Sequence, residues 1–194
     1  MRLRRRATLW RPRFDIVQQR IPPALKGWLD EPGSLTARLA ARCGGPLDVT
    51  VLRARWGRAL LDEAQQLGQP YGGLDWVREV TLGCRGVPWI YARSIIPRTS
   101  LRGRQRALLR LGARPLGSVL FGPADIRRGA VQIARLGPGD QLYEQARPHA
   151  GGAAERLWAR RSVLRVAGRP LLVAEVFLPR LLEAIDSACP VGGD

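Results

Sequence analysis

The chain has 194 residues, 45% of them hydrophobic, and a formal net charge of +16. That apolar content suits one compact domain and excludes a disordered chain, and no apolar run reaches the roughly 20 residues a membrane-spanning helix needs. The charge invites a nucleic-acid reading, but the basic residues are nearly all arginine, Lys26 being the only lysine, and they are spread along the chain without a helical stripe.

Residues 1–20 read as a basic arm without the apolar stretch or cleavage site of a secretory signal, so a cytoplasmic protein is expected. Pro22 and Pro23 open a short helix in PPALKGWLDE, and Pro32 and Gly33 stop it. Ser34 is a good N-cap for a second helix, SLTARLAARCGG, with Leu35, Leu39 and Ala40 on one side. DVTVLRARW alternates as a strand does, and RALLDEAQQLG is a short amphipathic helix. LDWVREVTLG and VPWIYARSIIP are β-branched and aromatic, joined through Cys84-Arg85-Gly86 as a hairpin.

LRGRQRALLRLG reads as helical, ARPLGSVLFG as a loop and a short helix, and RRGAVQIARL as a strand. Residues 137–155 are glycine-rich and polar and are expected to form a flexible connection. RLWARRSVLRVAG and RPLLVAEVFLP make a second hairpin about Gly168, and LLEAIDSAC is a last helix after Pro179. Hairpins with helices before and between them predict an α+β domain on a single antiparallel sheet. The expected layout is an arm over 1–20, a domain over 21–187 containing the flexible insertion 137–155, and a tail over 188–194.

Cys43, Cys84 and Cys189 are an odd number without CxxC spacing, which predicts free thiols and neither a disulfide framework nor a zinc site. His149 is the only histidine and lies in the loop-like stretch RPHAGGAAE, which argues against a histidine metal site and against a Ser-His-Asp triad. The chemistry falls to carboxylates and arginines.

Side chains alternate across a strand, and three apolar faces each carry one charge. Trp76, Arg78, Val80 and Leu82 share a face, as do Trp89, Tyr91, Arg93 and Ile95, and as do Leu171, Val173, Glu175 and Phe177. A buried charge needs a partner, from the protein or from a ligand. Two readings stay open: an internal salt-bridge cluster, or a cavity whose surplus positive charge grips a small carboxylate. Glu79, on the other side of its strand, argues for the Arg78 face as the buried one. In an apolar wall Glu175 would have a raised pKa, which suits a general acid, while the roles of base and of orienting group stay open.

WVREVTLGCRGVPWIYARSIIP, LGARPLGSVLF and LWARRSVLRVAGRPLLVAEVFLP, with GSLTARL near the start, together resemble the bacterial chorismate–pyruvate lyases over roughly residues 24–180. The resemblance implies a cofactor-independent enzyme, with no metal, that turns chorismate into 4-hydroxybenzoate and pyruvate for ubiquinone biosynthesis. It implies a monomer whose ligand lies under two helical flaps. It also puts Arg78 on the ring carboxylate and Glu175 beside the departing enolpyruvyl group, these two being the catalytic pair. Arg93 then suits the side-chain carboxylate, Leu116 contacts the ligand through its backbone, and Leu35 is an apolar flap position. No nucleic acid and no stable membrane insertion are expected. The alternative is a non-enzymatic small-molecule-binding domain of the same fold, as in effector domains of transcription regulators. Such regulators carry a DNA-binding domain of about 60–70 residues in front, for which some twenty residues are too few.

Overall fold

The computed structural model describes residues 8–12, 21–117, 126–152 and 154–186. In chain order the strands are β1 (Arg11–Pro12), β2 (Asp48–Gly57), β3 (Asp75–Cys84), β4 (Val87–Pro97), β5 (Ile126–Arg128), β6 (Gln132–Leu136), β7 (Leu157–Val166) and β8 (Arg169–Phe177). The helices are α1 (Pro23–Leu29), α2 (Leu35–Cys43), α3 (Leu61–Leu67), α4 (Gln141–Ala146) and α5 (Pro179–Asp186). A 3₁₀ stretch over Gly103–Arg110 replaces the helix expected there.

The strands form one antiparallel sheet in the order β1-β6-β7-β8-β4-β3-β2, with β5 added beside β7. This is the α+β architecture that the hairpin pattern predicts. Its centre is two long hairpins. Arg85 and Gly86, with φ of 52° and 79°, turn β3 into β4, and Ala167 and Gly168, with φ of 48° and 77°, turn β7 into β8. Two successive residues at positive φ match the twist of the flanking strands.

Helices cover both faces. On the front, α1, α2 and α5 pack over Val80, Leu82, Ile90 and Phe177. At the other end of the same face, Leu101, Leu108 and Leu111 pack on Ile96, Leu164 and Leu171. The gap between these covers is where a cavity forms. On the back, α3 packs over Val77, Ile95 and Leu172, and α4 over Tyr91, Ala174 and Val176.

Ser34 caps α2 as its chemistry predicts, its hydroxyl accepting from the Ala37 N–H at 3.3 Å, and Gly44 ends the helix in the left-handed region at φ 71°.

Two expectations, those for the insertion and for the cysteines, are corrected. The insertion 137–155 is not an unstructured connection in its described part: α4 and its following turn bury Leu142, Tyr143, Ala146 and Ala150 against the back face. These apolar residues at helical spacing outweigh the flanking glycines. The basic arm contributes β1, paired with β6, and its Trp10 lies 4.4 Å under the Arg161 guanidinium while donating to Asp62 at 3.0 Å. Finally, Cys43 and Cys84 form a disulfide with a Cα–Cα distance of 5.7 Å across 41 positions of sequence. Spacing hides that pairing, which arises because the end of α2 lands on the end of β3; Cys189 lies outside the described residues.

Candidate functional site

A two-residue turn pairs Cys84 with Val87 and Gly83 with Pro88. Continued unchanged, that register would set Arg78 opposite Arg93 on one face. Between Gly83 and Leu82 it shifts by one, so that Arg78 faces Ser94 and Glu79 faces Arg93. Because strand side chains alternate, this single extra residue sends Arg93 to the back of the sheet. Gly83 permits the bulge: a Cβ there would lie 2.4 Å from the Val87 carbonyl oxygen.

Arg93 therefore leaves the predicted site. It is 2% exposed, its Nε donating to Glu63 Oε1 at 2.7 Å, its Nη2 to Glu63 Oε2 at 3.1 Å and its Nη1 to Glu79. Arg53 adds a contact of 3.4 Å to Glu79. Burial alone would lower the Arg93 pKa, but the Glu63 bond and the Glu63 and Glu79 charges outweigh it and raise it. Arg93 thus lies in an internal salt-bridge cluster, formed with Glu63 and Glu79 rather than with Arg78 and Glu175, and it fastens α3 to the sheet. Glu79 is buried within it, contrary to the expectation for its face.

The front cavity holds about 550 Å³ of empty space including its mouth. Arg78, Val80, Ala92, Ser94, Val173 and Glu175 form its floor; Ser34, Leu35 and Thr36 of α2 close one side, and Leu116 and Gly117 another. Four of the five predicted site residues thus meet in one cavity.

Arg78 is 3% exposed. Its Nη2 donates to the carbonyls of Gly112 at 3.0 Å and Arg114 at 2.9 Å, which ties the Leu116 loop to β3. Its Nε is buried without a hydrogen-bond partner, and among the described residues no carboxylate lies within ion-pair distance of it. Burial holds its pKa below the ordinary arginine value. An unpaired buried cation costs several kcal/mol, so this position is built to receive an anion.

Glu175 has a different setting from the apolar wall expected for it. Arg160 sits opposite it on β7 and donates from Nε to Oε2 at 2.5 Å. Arg160 also donates from Nη1 to the Trp28 and Glu31 carbonyls at 3.2 and 3.0 Å, where α1 ends.

Arg128 of β5 lines the same cavity, donating to Ser162 Oγ at 2.9 Å and to the Gly33 carbonyl at 3.3 Å. Burial lowers its pKa, opposed by the nearby Glu175 charge. Sequence reasoning missed Arg128 and Arg160. The signal for Arg160 was present, since WARRS puts Trp158, Arg160 and Ser162 on one face; Arg128 lies in a three-residue strand too short for a period to show.

The model of the chorismate lyase family matches residues 4–186. The chain belongs to the chorismate lyase family. A probable chorismate pyruvate-lyase of Halorhodospira halophila is 48% identical to it over 91% of this chain and 93% of that one. One from Aromatoleum aromaticum is 44% identical over 94% and 98%, and one from Pseudomonas aeruginosa PAO1 is 40% identical over 84% and 88%. The family match takes in the arm from residue 4 and the insertion 137–155. Among solved structures, the PhnF C-terminal domain superposes with a TM-score of 0.55 at 14% identity, covering 68% of this chain and 82% of that one. The C-terminal domain of the histidine utilization repressor from Pseudomonas syringae gives 0.51 at 9% identity, over 69% and 92%. At such identities the likeness shows the fold alone, the antiparallel sheet of this family's domain.

Proposed function

We propose that the protein is a chorismate pyruvate-lyase that releases 4-hydroxybenzoate and pyruvate. The observation that carries this is Arg78, an unpaired buried guanidinium facing the same cavity as Glu175. Family membership supplies the substrate class, and the relatives named probable chorismate pyruvate-lyase support it.

The reaction is an elimination. The ether bond between ring and enolpyruvyl group breaks, its electron pair leaving with the enolpyruvate, and the neighbouring ring carbon loses a proton. The enolpyruvate takes up a proton at its methylene carbon and becomes pyruvate. Aromatisation of the ring drives the reaction, so the protein's part is to hold the substrate in an eliminating geometry.

Arg78 suits the ring carboxylate, which its forked donors can grip. Glu175, paired with Arg160, suits accepting a hydrogen bond from the ring hydroxyl or the departing ring proton rather than donating one. Leu35 and Leu116 supply apolar walls, and the covering helices keep water out.

A cytoplasmic monomer acting on this small-molecule substrate, without nucleic acid, and feeding ubiquinone biosynthesis, belongs to the same proposal. What supports the solution state is that no helix among the described residues is long and apolar enough to cross a membrane. In a reducing compartment the Cys43–Cys84 pair would be dithiol, which thiol labelling of freshly lysed cells would reveal.

The test is incubation of the purified protein with chorismate and chromatography of the products. Equal amounts of 4-hydroxybenzoate and pyruvate are expected, with kcat down about 100-fold or more in Glu175→Gln. A folded wild-type protein that leaves chorismate intact would sink the reading.

A further inference from the structure

The removal of Arg93 to the back face leaves chorismate's second carboxylate without its expected partner. The cavity itself supplies a replacement. Among the described residues its charged ones are Arg78, Arg128 and Glu175, with Arg160 behind Glu175. Glu175 and Arg160 neutralise each other. Arg78 and Arg128 form no ion pair among the described residues; their partners are carbonyl oxygens and one hydroxyl. Two cations without an ion pair among the described residues line one largely apolar cavity, and a dianion is the ligand that balances them.

We infer that Arg128 is a second substrate-binding arginine, which grips the enolpyruvyl carboxylate while Arg78 holds the ring carboxylate. This rests on the lyase reading above. The two guanidiniums approach from opposite sides of the floor: Arg78 from β3 near the sheet edge, and Arg128 from β5 beyond β7. Glu175 on β8 lies between those strands. A substrate held at both ends would therefore lie across Glu175, with its ether bond near the carboxylate.

Arg128 does a second thing that Arg78 does not. Its Nη2 donates to the Gly33 carbonyl, in the turn joining α1 to α2, and its Nη1 to Ser162 on β7. It is the cavity arginine that ties the sheet to the turn that precedes the Leu35 wall. A carboxylate bound by Arg128 is thus sensed at the flap turn. When the enolpyruvyl carboxylate departs as pyruvate, Arg128 loses its anion while Arg78 keeps the ring carboxylate of the product. The inference separates the arginines by ligand: Arg78 serves substrate and product alike, and Arg128 serves the substrate.

The experiment compares wild type, Arg128→Met, Arg128→Lys and Arg78→Met, each first shown to be folded by circular dichroism. KM for chorismate is measured beside the dissociation constant of 4-hydroxybenzoate. For Arg128→Met the KM is expected to rise at least 30-fold while 4-hydroxybenzoate binding weakens less than 3-fold; Arg128→Lys recovers part of the KM. For Arg78→Met both ligands weaken together. Equal weakening of both ligands in Arg128→Met, or an unchanged KM, overturns the assignment. A wild-type protein inert towards chorismate overturns the lyase reading instead, and the inference with it.

Discussion

Arg78 and Arg93 are both buried to within 3% of complete, yet they stand in opposite electrostatic situations. Arg93 is held by two carboxylates, and removing it strands Glu63 and Glu79 in the interior. Arg93→Met is therefore expected to destabilise the protein by about 3–5 kcal/mol, measured by urea unfolding. Arg78 has no carboxylate to strand, so Arg78→Met should shift the same unfolding free energy by no more than about 1 kcal/mol. Stability is lost at one arginine and ligand binding at the other. The acidic side of the pH profile has its own residue. Glu31, in the flap turn, accepts from the Gly33 N–H at 2.9 Å and pairs with Arg38 at 3.0 Å, and the Gly33 bond leads in holding its pKa below 4.5. A depressed carboxylate contributes stability that is complete above its unfolded value and is lost as pH falls through its folded value. Glu31→Gln should flatten the fall of unfolding free energy as pH drops below about 4.5, by about 0.5 kcal/mol for so exposed a pair.

Among the elements, the β3–β4 hairpin decides what the site contains. Its Gly83 bulge separates the Arg78 face from the Arg93 face, and nothing larger than glycine fits against the Val87 carbonyl. Gly83→Ala should cost more than about 2 kcal/mol by chemical denaturation, because the hairpin must open there or change register. A stability close to wild type would mean that the bulge is not held by that contact. The bulge also explains what was legible beforehand. Residue types showed that Arg78, Arg93 and Glu175 each sit in an apolar strand face, and turn chemistry at Arg85-Gly86 located both strands. Alternation cannot show which faces coincide once a register shift intervenes, and Arg93 was misplaced for that reason. Helix α2 was readable from Ser34, Gly44 and its leucines because those signals are local. Arg128 was not, because its role depends on β5 docking beside β7 and on the turn at Gly33 reaching it.

At the scale of the whole molecule, the sheet serves two separate chemistries on its two faces. The back binds α3 through Glu63, Glu79, Arg93, Asp62 and Arg161, ion pairs that join chain segments far apart in sequence. The front keeps Arg78 and Arg128 without an ion pair among the described residues and covers them with helices. Composition revealed the arginine excess of a +16 chain but not this sorting, which depends on strand order. The excess as a whole adds a positive field that favours the approach of small anions. The central claim concerns the front: a buried guanidinium lacking a carboxylate partner is the anchor of an anionic ring ligand. Calorimetric titration of 4-hydroxybenzoate into wild-type and Arg78→Met protein tests it directly. One site per chain is expected in the wild type, with affinity lost at least 100-fold in the folded variant, about 2.7 kcal/mol. Undiminished binding to Arg78→Met would contradict the account.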